Sequence, residues 1–374
     1  MFQRVKRLVV KVGTSTITYP TYRLNLARLE TLVREIADLN NQGLEVVLVT
    51  SGAIGAGISR LGLSERPKTL PAKQAAAAVG QGLLMQVYEK LFSEYGQIVA
   101  QVLLTRDDLD SRDRYLNSRH TLLELLRCQV VPIVNENDTV AVDEIKFGDN
   151  DTLSALVAAL VGADLLLVLS DIDGVYTADP RQDPDAQLLD VIADVEKFAS
   201  VAQGPGSGLG TGGMMTKFQA ARIATSSGIP MVIACGAEPG AIHQVVGRKA
   251  VGTLFLPENE RLSSKKQWLA FYHKPQGKVY IDDGARQALL ESGKSLLPIG
   301  ITRLEGTFAA GDLVSIIDSS GQEIGRGLSN YTSTEVQLIQ GRHSNAIEKL
   351  LNHRDYDEII HRDNLVLLRS ELNA

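Results

Sequence analysis

Short runs of Val, Ile and Leu alternate along residues 1–258 with longer segments in which apolar residues recur at helical spacing. Residues 8–12 and 45–50 are apolar almost throughout, which is typical of strands that are buried on both faces. Residues 25–41 and 72–94 carry apolar positions three and four residues apart, and this spacing predicts helices. Further strands are predicted at residues 98–104, 130–134, 165–169 and 231–234. The alternation predicts an α/β fold with a mainly parallel sheet sandwiched by helices.

The pattern changes after residue 258. Residues 259–274 are polar and predict a linker. We therefore expect a first domain over residues 1–258 and a second, smaller β-rich domain over residues 275–374, similar to a small β-barrel. The elements predicted within the second domain are strands at 278–281, 311–317 and 322–328 and short helices at 285–292 and 344–351.

The composition is that of an ordinary globular protein, with 44% of the 374 residues hydrophobic and 22% charged. The net charge of −6 gives no overall attraction toward nucleic acid or anionic lipid. The longest apolar stretch, residues 153–170, is interrupted by Gly162 and Asp164, so we expect no membrane span. The first residues carry no apolar segment with a cleavage site, and Cys128 and Cys235 stand in apolar runs. A cytoplasmic protein with two reduced core thiols is therefore expected.

Polar and glycine-containing segments follow several predicted strands at the point where each strand ends. The carboxyl ends of parallel strands meet at one edge of a sheet, and ligands bind in the crevice outside that edge. The repetition therefore indicates where a binding site lies. The segments are residues 13–15, 51–53, 135–138 and 170–171.

Two glycine-containing loops each carry a lysine. Lys11 stands at the end of the first strand, just before Gly13, where an ammonium and backbone N–H groups can meet phosphate oxygens. An ordinary turn is the alternative there. Residues 204–217 are rich in glycine, end in Lys217 and precede a helical pattern, which favours a phosphate-binding loop over a surface linker. A dinucleotide-type glycine spacing inside this loop lacks a good preceding strand, and no Walker A motif is present.

An amide and an acid open the predicted helix at residues 152–161. Asn150 or Asp151 can act simply as a helix cap, which is the commonest use of such residues. Alternatively, Asp151 orients Lys11 and Lys217 while Asn150 binds a substrate. We favour the second interpretation because one residue can cap while its neighbour binds.

Two further polar positions suit an amino-acid ligand. Asp138 can pair with an ammonium group, and Ser51 can donate to a carboxylate. The six histidines show no metal-ligand pattern, and no Ser/His/Asp order stands out. Hydrolase and metalloenzyme functions therefore gain little support.

Taken together, these segments resemble the amino acid kinase family. The resemblance covers most of residues 1–258, and the tail is similar to a PUA domain through GKSLLPIGI (293–301) and HRDNLVL (361–367). The kinase resemblance rests on the motifs VVKVGTS (9–15), VTSGAIGAG (49–57), KQAAAAVGQ (73–81), VNEND (134–138), GDNDTLSA (148–155), LSDIDGVYTADP (169–180) and GLGTGGMMTK (208–217).

The resemblance implies a role for each matching residue. Lys11 and Lys217 would stabilise the transferring phosphoryl group, and Asp151 would organise both lysines as the third catalytic residue. The substrate-binding residues would be Ser51, Asp138 and Asn150. ATP, with Mg²⁺, would lie along Lys11, Ser170, Asp171, Thr211, Gly212, Gly213, Met214, Met215, Thr216 and Lys217.

The resemblance also implies the reaction, namely phosphorylation of the γ-carboxylate of L-glutamate to L-glutamyl 5-phosphate in proline biosynthesis. It implies feedback inhibition by proline, a homo-oligomer (dimer or tetramer) and a glutamyl phosphate reductase as partner. Kinases for N-acetylglutamate or aspartate are the enzymatic alternatives. PUA domains also occur in RNA-modifying enzymes, but residues 275–374 hold 10 Lys/Arg and 14 Asp/Glu, so we expect no RNA partner. A regulatory or assembly role is favoured for that domain.

Overall fold

The computed structural model describes residues 5–141, 150–178, 180, 183–195, 198, 212–247, 249, 251–257, 269 and 275–368. They belong to two compact units, Met1–Arg261 and Leu262–Ala374. Nearly all of the predicted linker at residues 259–274 lies outside the described residues.

The first unit is built around an eight-stranded sheet. Its strands lie in the order β3-β4-β2-β1-β5-β9-β10-β8, and only the pairing between β9 and β10 is antiparallel. The prediction of a mainly parallel sheet is therefore confirmed. The described strands are β1 (Arg7–Val12), β2 (Glu45–Thr50), β3 (Val99–Leu104), β4 (Val131–Glu136), β5 (Leu165–Ser170), β8 (Val191–Ile192), β9 (Met231–Cys235) and β10 (Thr253–Phe255), with β6 (Val175–Tyr176) and β7 (Leu188–Leu189) forming a separate hairpin.

Helices connect these strands and cover the sheet. Asn25 begins one of them by accepting a hydrogen bond from the backbone N–H of Arg28, and Gly62 ends another in the left-handed conformation. The described helices of this unit are α1 (Thr14–Ile17), α2 (Leu26–Asn41), α3 (Ala53–Leu61), α4 (Leu70–Ser93), α5 (Arg106–Asp110), α6 (Arg112–Arg127), α7 (Asn150–Val161), α8 (Gly212–Ser226) and α9 (Ala241–Val246).

Strand β1 lies at the centre of the sheet, between β2 and β5. Its alternate residues Leu8, Val10 and Val12 pack into a core shared with α2 and α4. Because side chains alternate between faces, Lys11 points to the opposite face, where it meets α7. Every residue of α7 after Asn150 is buried. The sheet therefore holds one lysine against the first turn of a fully covered helix.

The second unit contains a five-stranded sheet with the order β12-β11-β13-β14-β15 and a core of its own. The pairing of β11 with β13 is parallel and the other pairings are antiparallel. The predicted helix at residues 344–351 is divided into a 3₁₀ turn, Ser344–Ala346, followed by a helix. The elements are β11 (Gly277–Ile281), α10 (Asp283–Ser292), β12 (Ile301–Gly306), β13 (Leu313–Ile317), β14 (Glu323–Leu328), α11 (Ser333–Ile339), α12 (Ile347–Leu351) and β15 (Leu365–Leu367).

The expectation of two core thiols is wrong. Both cysteines are free, but Cys128 is exposed and Cys235 is only partly buried. Cys128 caps the C-terminus of α6, beyond the last buried residue of that helix, and Cys235 is the final residue of β9. In both cases the apolar run in the sequence continues beyond the residues that neighbouring elements cover. Among the described residues, no helix combines the length and apolarity that crossing a membrane requires.

Candidate active site

Three charged side chains meet at the carboxyl edge of the sheet. Lys11 is the penultimate residue of β1, Asp151 lies in the first turn of α7, and Lys217 lies in the first half of α8. One carboxylate oxygen of Asp151 is 2.5 Å from Lys11 Nζ, and the other is 3.1 Å from Lys217 Nζ. The three residues are 4%, 0% and 8% exposed, respectively. The structure thus brings together the three residues that the sequence selected, with a formal charge of +1.

The environment of Asp151 determines which form of its carboxyl group is present. Burial on its own would raise the pKa of Asp151, but attraction and hydrogen bonds from Lys11 and Lys217 outweigh it and lower the pKa. The hydroxyl of Thr216 lies 3.4 Å from the same oxygen that receives Lys217. Asp151 is therefore a carboxylate at neutral pH, and it holds two ammonium groups from different elements at fixed positions.

Glycine leaves the space beside Lys11 open. A Cβ atom at Gly13 would lie 3.5 Å from Lys11 Nζ and 3.9 Å from the carbonyl oxygen of Leu169. Any side chain there would begin against the ammonium group. Gly13 also precedes the short helix α1, so backbone N–H groups follow it directly. An anion can therefore approach Lys11 closely.

A cavity of about 220 Å³ lies beside the charged cluster. It is smaller than the roughly 300–1,000 Å³ pockets that hold drug-sized ligands, and so suits a small metabolite. Its lining carries both signs of charge, because it includes Arg66 as well as Glu136 and Asp138. Ser51 and Asn150 line the same cavity. All three residues predicted to bind substrate thus lie around one space that suits a zwitterion.

Asn150 connects this cavity to the charged cluster, because it precedes Asp151 in the first turn of α7. Its Nδ2 donates to Ser51 Oγ at 2.9 Å and to the carbonyl oxygen of Thr50 at 2.6 Å. Gly52 follows with φ +93°, a conformation that favours glycine, and the chain then enters α3. The turn after β2 is therefore held by α7, and it presents Ser51 to the cavity.

The structure describes all of the predicted nucleotide-binding residues except Thr211. Ser170 ends β5, the neighbour of β1, and its hydroxyl donates to the carboxylate of Asp171, which is exposed. Thr211 lies outside the described residues, as does the glycine-rich segment 204–210. The residues that open α8 are described, and Met215 among them is 41% exposed. These residues are Gly212, Gly213, Met214, Met215, Thr216 and Lys217.

The sequence reasoning placed residues 135–138 at the binding edge but gave no role to two polar residues near the cavity, Asn135 and Gln81. Asn135 is 2% exposed and accepts from Asn150 Nδ2 at 2.9 Å. Behind it, Gln81 of α4 accepts from Asn135 Nδ2 at 2.7 Å. The signal was available, because Gln81 shares the buried side of α4 with Ala77 and Leu84. A polar residue on an otherwise apolar helix face requires a polar partner.

The fold and this site define a class of enzyme. Two lysines held by one carboxylate at the carboxyl edge of a parallel sheet are suited to neutralise phosphoryl oxygens, and the adjoining cavity accepts a small charged molecule. The molecule is thus a phosphotransferase. Its chain belongs to the amino acid kinase family, whose model matches residues 6–235, and a PUA domain model matches residues 277–351.

Similar proteins share nearly the whole length of the chain. A protein from Moorella thermoacetica named glutamate 5-kinase is 57% identical over 366 residues, which are 98% of this chain and 97% of that protein. A second protein of that name, from Carboxydothermus hydrogenoformans, is 54% identical over 98% of this chain and 99% of its own. Among solved structures, a UMP kinase from Bacillus anthracis aligns with 70% of this chain and 99% of its own, with TM-score 0.48 and 18% identity.

Proposed function

We propose that the chain transfers the γ-phosphoryl group of ATP to the γ-carboxylate of L-glutamate, giving L-glutamyl 5-phosphate in proline biosynthesis. The names of its relatives support glutamate as the acceptor. The observation that carries the chemistry is the shared carboxylate of Asp151, which holds Lys11 and Lys217 beside a cavity of mixed charge.

The reaction requires no general base. A glutamate side chain with an ordinary pKa near 4.3 is already ionised at neutral pH. One of its oxygens forms a bond to the γ-phosphorus, and the bond from that phosphorus to the bridging oxygen of ADP breaks, so ADP leaves with the electron pair. No proton moves in this step. The protein contributes position and charge, which is how phosphoryl transfer is generally catalysed.

Lys11 and Lys217 neutralise charge on the phosphoryl oxygens as the transfer proceeds. Their ammonium groups reach the site from a strand and a helix that Asp151 joins. Because the carboxylate holds both ammonium groups in place, little reorganisation is required during the reaction. Asp151 is thus the organising residue and the two lysines are the groups that contact the phosphoryl oxygens.

Ser51, Asp138 and Asn150 bind the acceptor in this proposal. Asp138 faces the cavity with a negative charge suited to the ammonium group of glutamate, and Ser51 offers a hydroxyl to a carboxylate. Asn150 stands between the cavity and Asp151, at the position where the reacting carboxylate must approach the lysines.

The nucleotide lies on the side of β5 and α8 in this proposal, along Ser170, Asp171 and the first turn of α8. Mg²⁺ is assigned as the companion of ATP. Among the described residues, no group of three or more His, Cys, Asp or Glu side chains is placed to hold a metal ion. Mg²⁺ usually keeps several waters and binds substrate phosphates with one or two carboxylates, and the exposed carboxylate of Asp171 suits such a role.

An ATP-dependent hydroxamate assay tests the proposed reaction, since hydroxylamine traps an acyl phosphate. We expect hydroxamate with L-glutamate and far less with N-acetyl-L-glutamate, L-aspartate or D-glutamate. Faster turnover of another acid than of L-glutamate would overturn the substrate assignment. Phosphate release without hydroxamate from any of these acids would overturn the acyl phosphate product.

The partner enzyme, the inhibitor, the oligomeric state and the compartment are proposed from the resemblance to the family. The acyl phosphate is labile, so a glutamyl phosphate reductase is the partner that consumes it, and proline is the feedback inhibitor. A homo-oligomer in the cytoplasm is the proposed state, and the exposed free thiol of Cys128 is compatible with a reducing compartment. The second unit has a regulatory or assembly role in this proposal, and deletion of residues 275–374 followed by measurement of proline sensitivity and mass tests it.

A further inference from the structure

Three amide side chains form a continuous hydrogen-bonded line that leads to the cavity. Gln81 of α4 accepts from Asn135 at 2.7 Å, and Asn135 accepts from Asn150 at 2.9 Å. Asn150 Nδ2 also donates to Ser51 Oγ at 2.9 Å and to the carbonyl oxygen of Thr50 at 2.6 Å, so its two hydrogens are shared among three acceptors. Asn135, Asn150 and Ser51 line the cavity, whereas Gln81 is not among the described residues that line it. The line therefore starts at a residue outside the cavity and ends at one that faces it.

Backbone groups determine the direction of this line. The N–H of Glu136 can only donate, and it donates to Asn135 Oδ1 at 2.9 Å. The carbonyl oxygen of Thr50 can only accept, and it receives Asn150 Nδ2. Asn135 must therefore present Nδ2 on its other side, where Gln81 Oε1 accepts it. The orientation of each amide thus follows from groups whose donor or acceptor character is fixed.

The direction of the line determines what Ser51 can do. Its oxygen already accepts from Asn150, so its own proton remains available for an acceptor in the cavity. A carboxylate is such an acceptor. If the amide of Asn135 turned over, its Nδ2 would face the Nδ2 of Asn150, and two donors would oppose each other. The N–H of Glu136 opposes this on one side of Asn135, and the acceptor at position 81 opposes it on the other side.

The location of Gln81 is unfavourable for one end of its side chain. The residue is 9% exposed, and its Nε2 has no hydrogen-bond partner among the residues that the structure describes. An apolar side chain would leave no such donor unpaired on this face of α4, next to Leu84. A buried amide whose Nε2 has no partner among the described residues is unfavourable for folding. We therefore attribute the presence of glutamine at this position to the bond that its Oε1 makes with Asn135.

We propose that Gln81 is a positioning residue for the phosphoryl acceptor: its Oε1 holds Asn135, and through Asn135 and Asn150 it orients the hydroxyl of Ser51 toward a bound carboxylate. The inference rests on the proposed kinase function. Gln81 contacts neither substrate nor nucleotide in this scheme. Its loss affects binding of the acid, while Lys11 and Lys217 continue to serve the phosphoryl group.

Two substitutions separate the acceptor atom from the shape of the side chain. Gln81→Met keeps the length of the side chain and removes the acceptor, and Gln81→Leu removes the acceptor with a shorter, branched side chain. Tyr88→Phe is the matched control. Tyr88 lies two turns further along α4, is fully buried and shares a 2.8 Å hydrogen bond with Thr50 Oγ1. Its substitution also deletes one buried hydrogen bond of the same helix, but away from Asn135.

The experiment measures kcat and the KM values for acid and ATP with the full chain and each variant, and uses the acid that the wild type phosphorylates fastest. We expect Gln81→Met to raise KM for the acid about tenfold with KM for ATP unchanged and kcat within about threefold. Gln81→Leu should raise KM for the acid to a similar extent, whereas Tyr88→Phe should stay within about threefold of wild type.

The outcomes are distinct. An unchanged KM for the acid in Gln81→Met, or an equal rise in both KM values, overturns the positioning role. If Gln81→Met does not fold, Gln81→Leu decides, because an unchanged KM for the acid in a folded variant without the acceptor contradicts the proposal. A wild type that prefers an acid other than glutamate overturns the proposed substrate, while the test of Gln81 proceeds with that acid.

Discussion

The carboxylate of Asp151 lies 2.5 Å from the ammonium group of Lys11, and the two side chains are 0% and 6% exposed. The second oxygen of Asp151 receives Lys217. Because the two lysines come from β1 and α8, their spacing depends on the helix that carries Asp151. One carboxylate thus joins three elements and leaves one positive charge in excess.

Replacing Asp151 by Asn leaves two buried ammonium groups without their counter-charge. We expect kcat to fall by about 10²–10³-fold. Breaking a buried ion pair by removing one partner costs about 3–5 kcal/mol, so we also expect the free energy of unfolding to decrease by about that amount. Steady-state kinetics and urea denaturation measure the two effects.

A second substitution separates stability from activity at this site. Adding Lys11→Met to Asp151→Asn removes one of the two ammonium groups that Asp151 neutralises, so part of the lost stability should return while turnover stays low. Asp190→Asn, at an exposed position, is the control and should change neither quantity appreciably. Recovery of turnover in the double variant would contradict the assigned role of Lys11.

The lowered pKa of Asp151 predicts how its contribution depends on pH. A carboxyl group whose pKa is lower in the folded than in the unfolded protein stabilises the fold above its ordinary value of 3.8, and this stabilisation is lost as pH falls through the lower folded value. The difference in unfolding free energy between wild type and Asp151→Asn should therefore be constant between pH 7 and 5 and shrink at pH 3. Urea denaturation at the three pH values measures it; a difference that already shrinks between pH 7 and 5 would mean a raised pKa.

Lys217→Ala removes one of the two positive charges offered to the phosphoryl group. We expect turnover to fall by about 10²–10³-fold or more, while circular dichroism shows a folded protein. Lys90→Ala changes an exposed lysine near the end of α4 and should keep wild-type turnover. Turnover close to wild type in Lys217→Ala would contradict the proposed mechanism.

The charged cluster was predictable because its residues follow a rule of the fold. Lys11 lies near the end of a buried strand and Asp151 lies in the first turn of a helix, and the carboxyl edge of a parallel sheet brings such positions together. The partners of Gln81 could not be predicted in the same way. Its bond to Asn135 joins residues 54 positions apart, and it depends on how α4 packs against the end of β4. Helical spacing indicates that Gln81 faces inward but does not identify the atom that it meets.

The hydrophobic pattern also did not predict where burial ends along an element. The apolar character of residues near Cys128 predicted a core thiol, yet that residue caps a helix and is exposed. Apolar periodicity identifies which side of a helix is covered, but whether the last turn is covered depends on the neighbouring elements. The ion pairs of Asp151 were therefore more predictable than the burial of residues at the ends of elements, at Cys128 and Cys235 alike.

Two glycines allow α3 and α4 to approach closely beside the cavity. A Cβ atom at Gly80 would lie 1.8 Å from the carbonyl oxygen of Ala53, and one at Gly57 would lie 1.8 Å from that of Ala76. Gly80→Ala must therefore push α3 away from α4, and we expect a loss of about 1–3 kcal/mol in unfolding free energy. Since Ala53 also lines the cavity, KM for the acid should rise as well.

Gly82→Ala is the matched control for Gly80→Ala, because it places the same methyl group on the same helix two residues later. A Cβ atom at Gly82 meets no heavy atom within 4 Å, and the residue is exposed. Alanine is favoured over glycine inside a helix by about 0.5–1 kcal/mol, so this variant should be more stable than wild type with unchanged kinetics. Thermal unfolding and KM for the acid compare the two variants. Equal stability of both would show that α3 and α4 are not in close contact at Gly80.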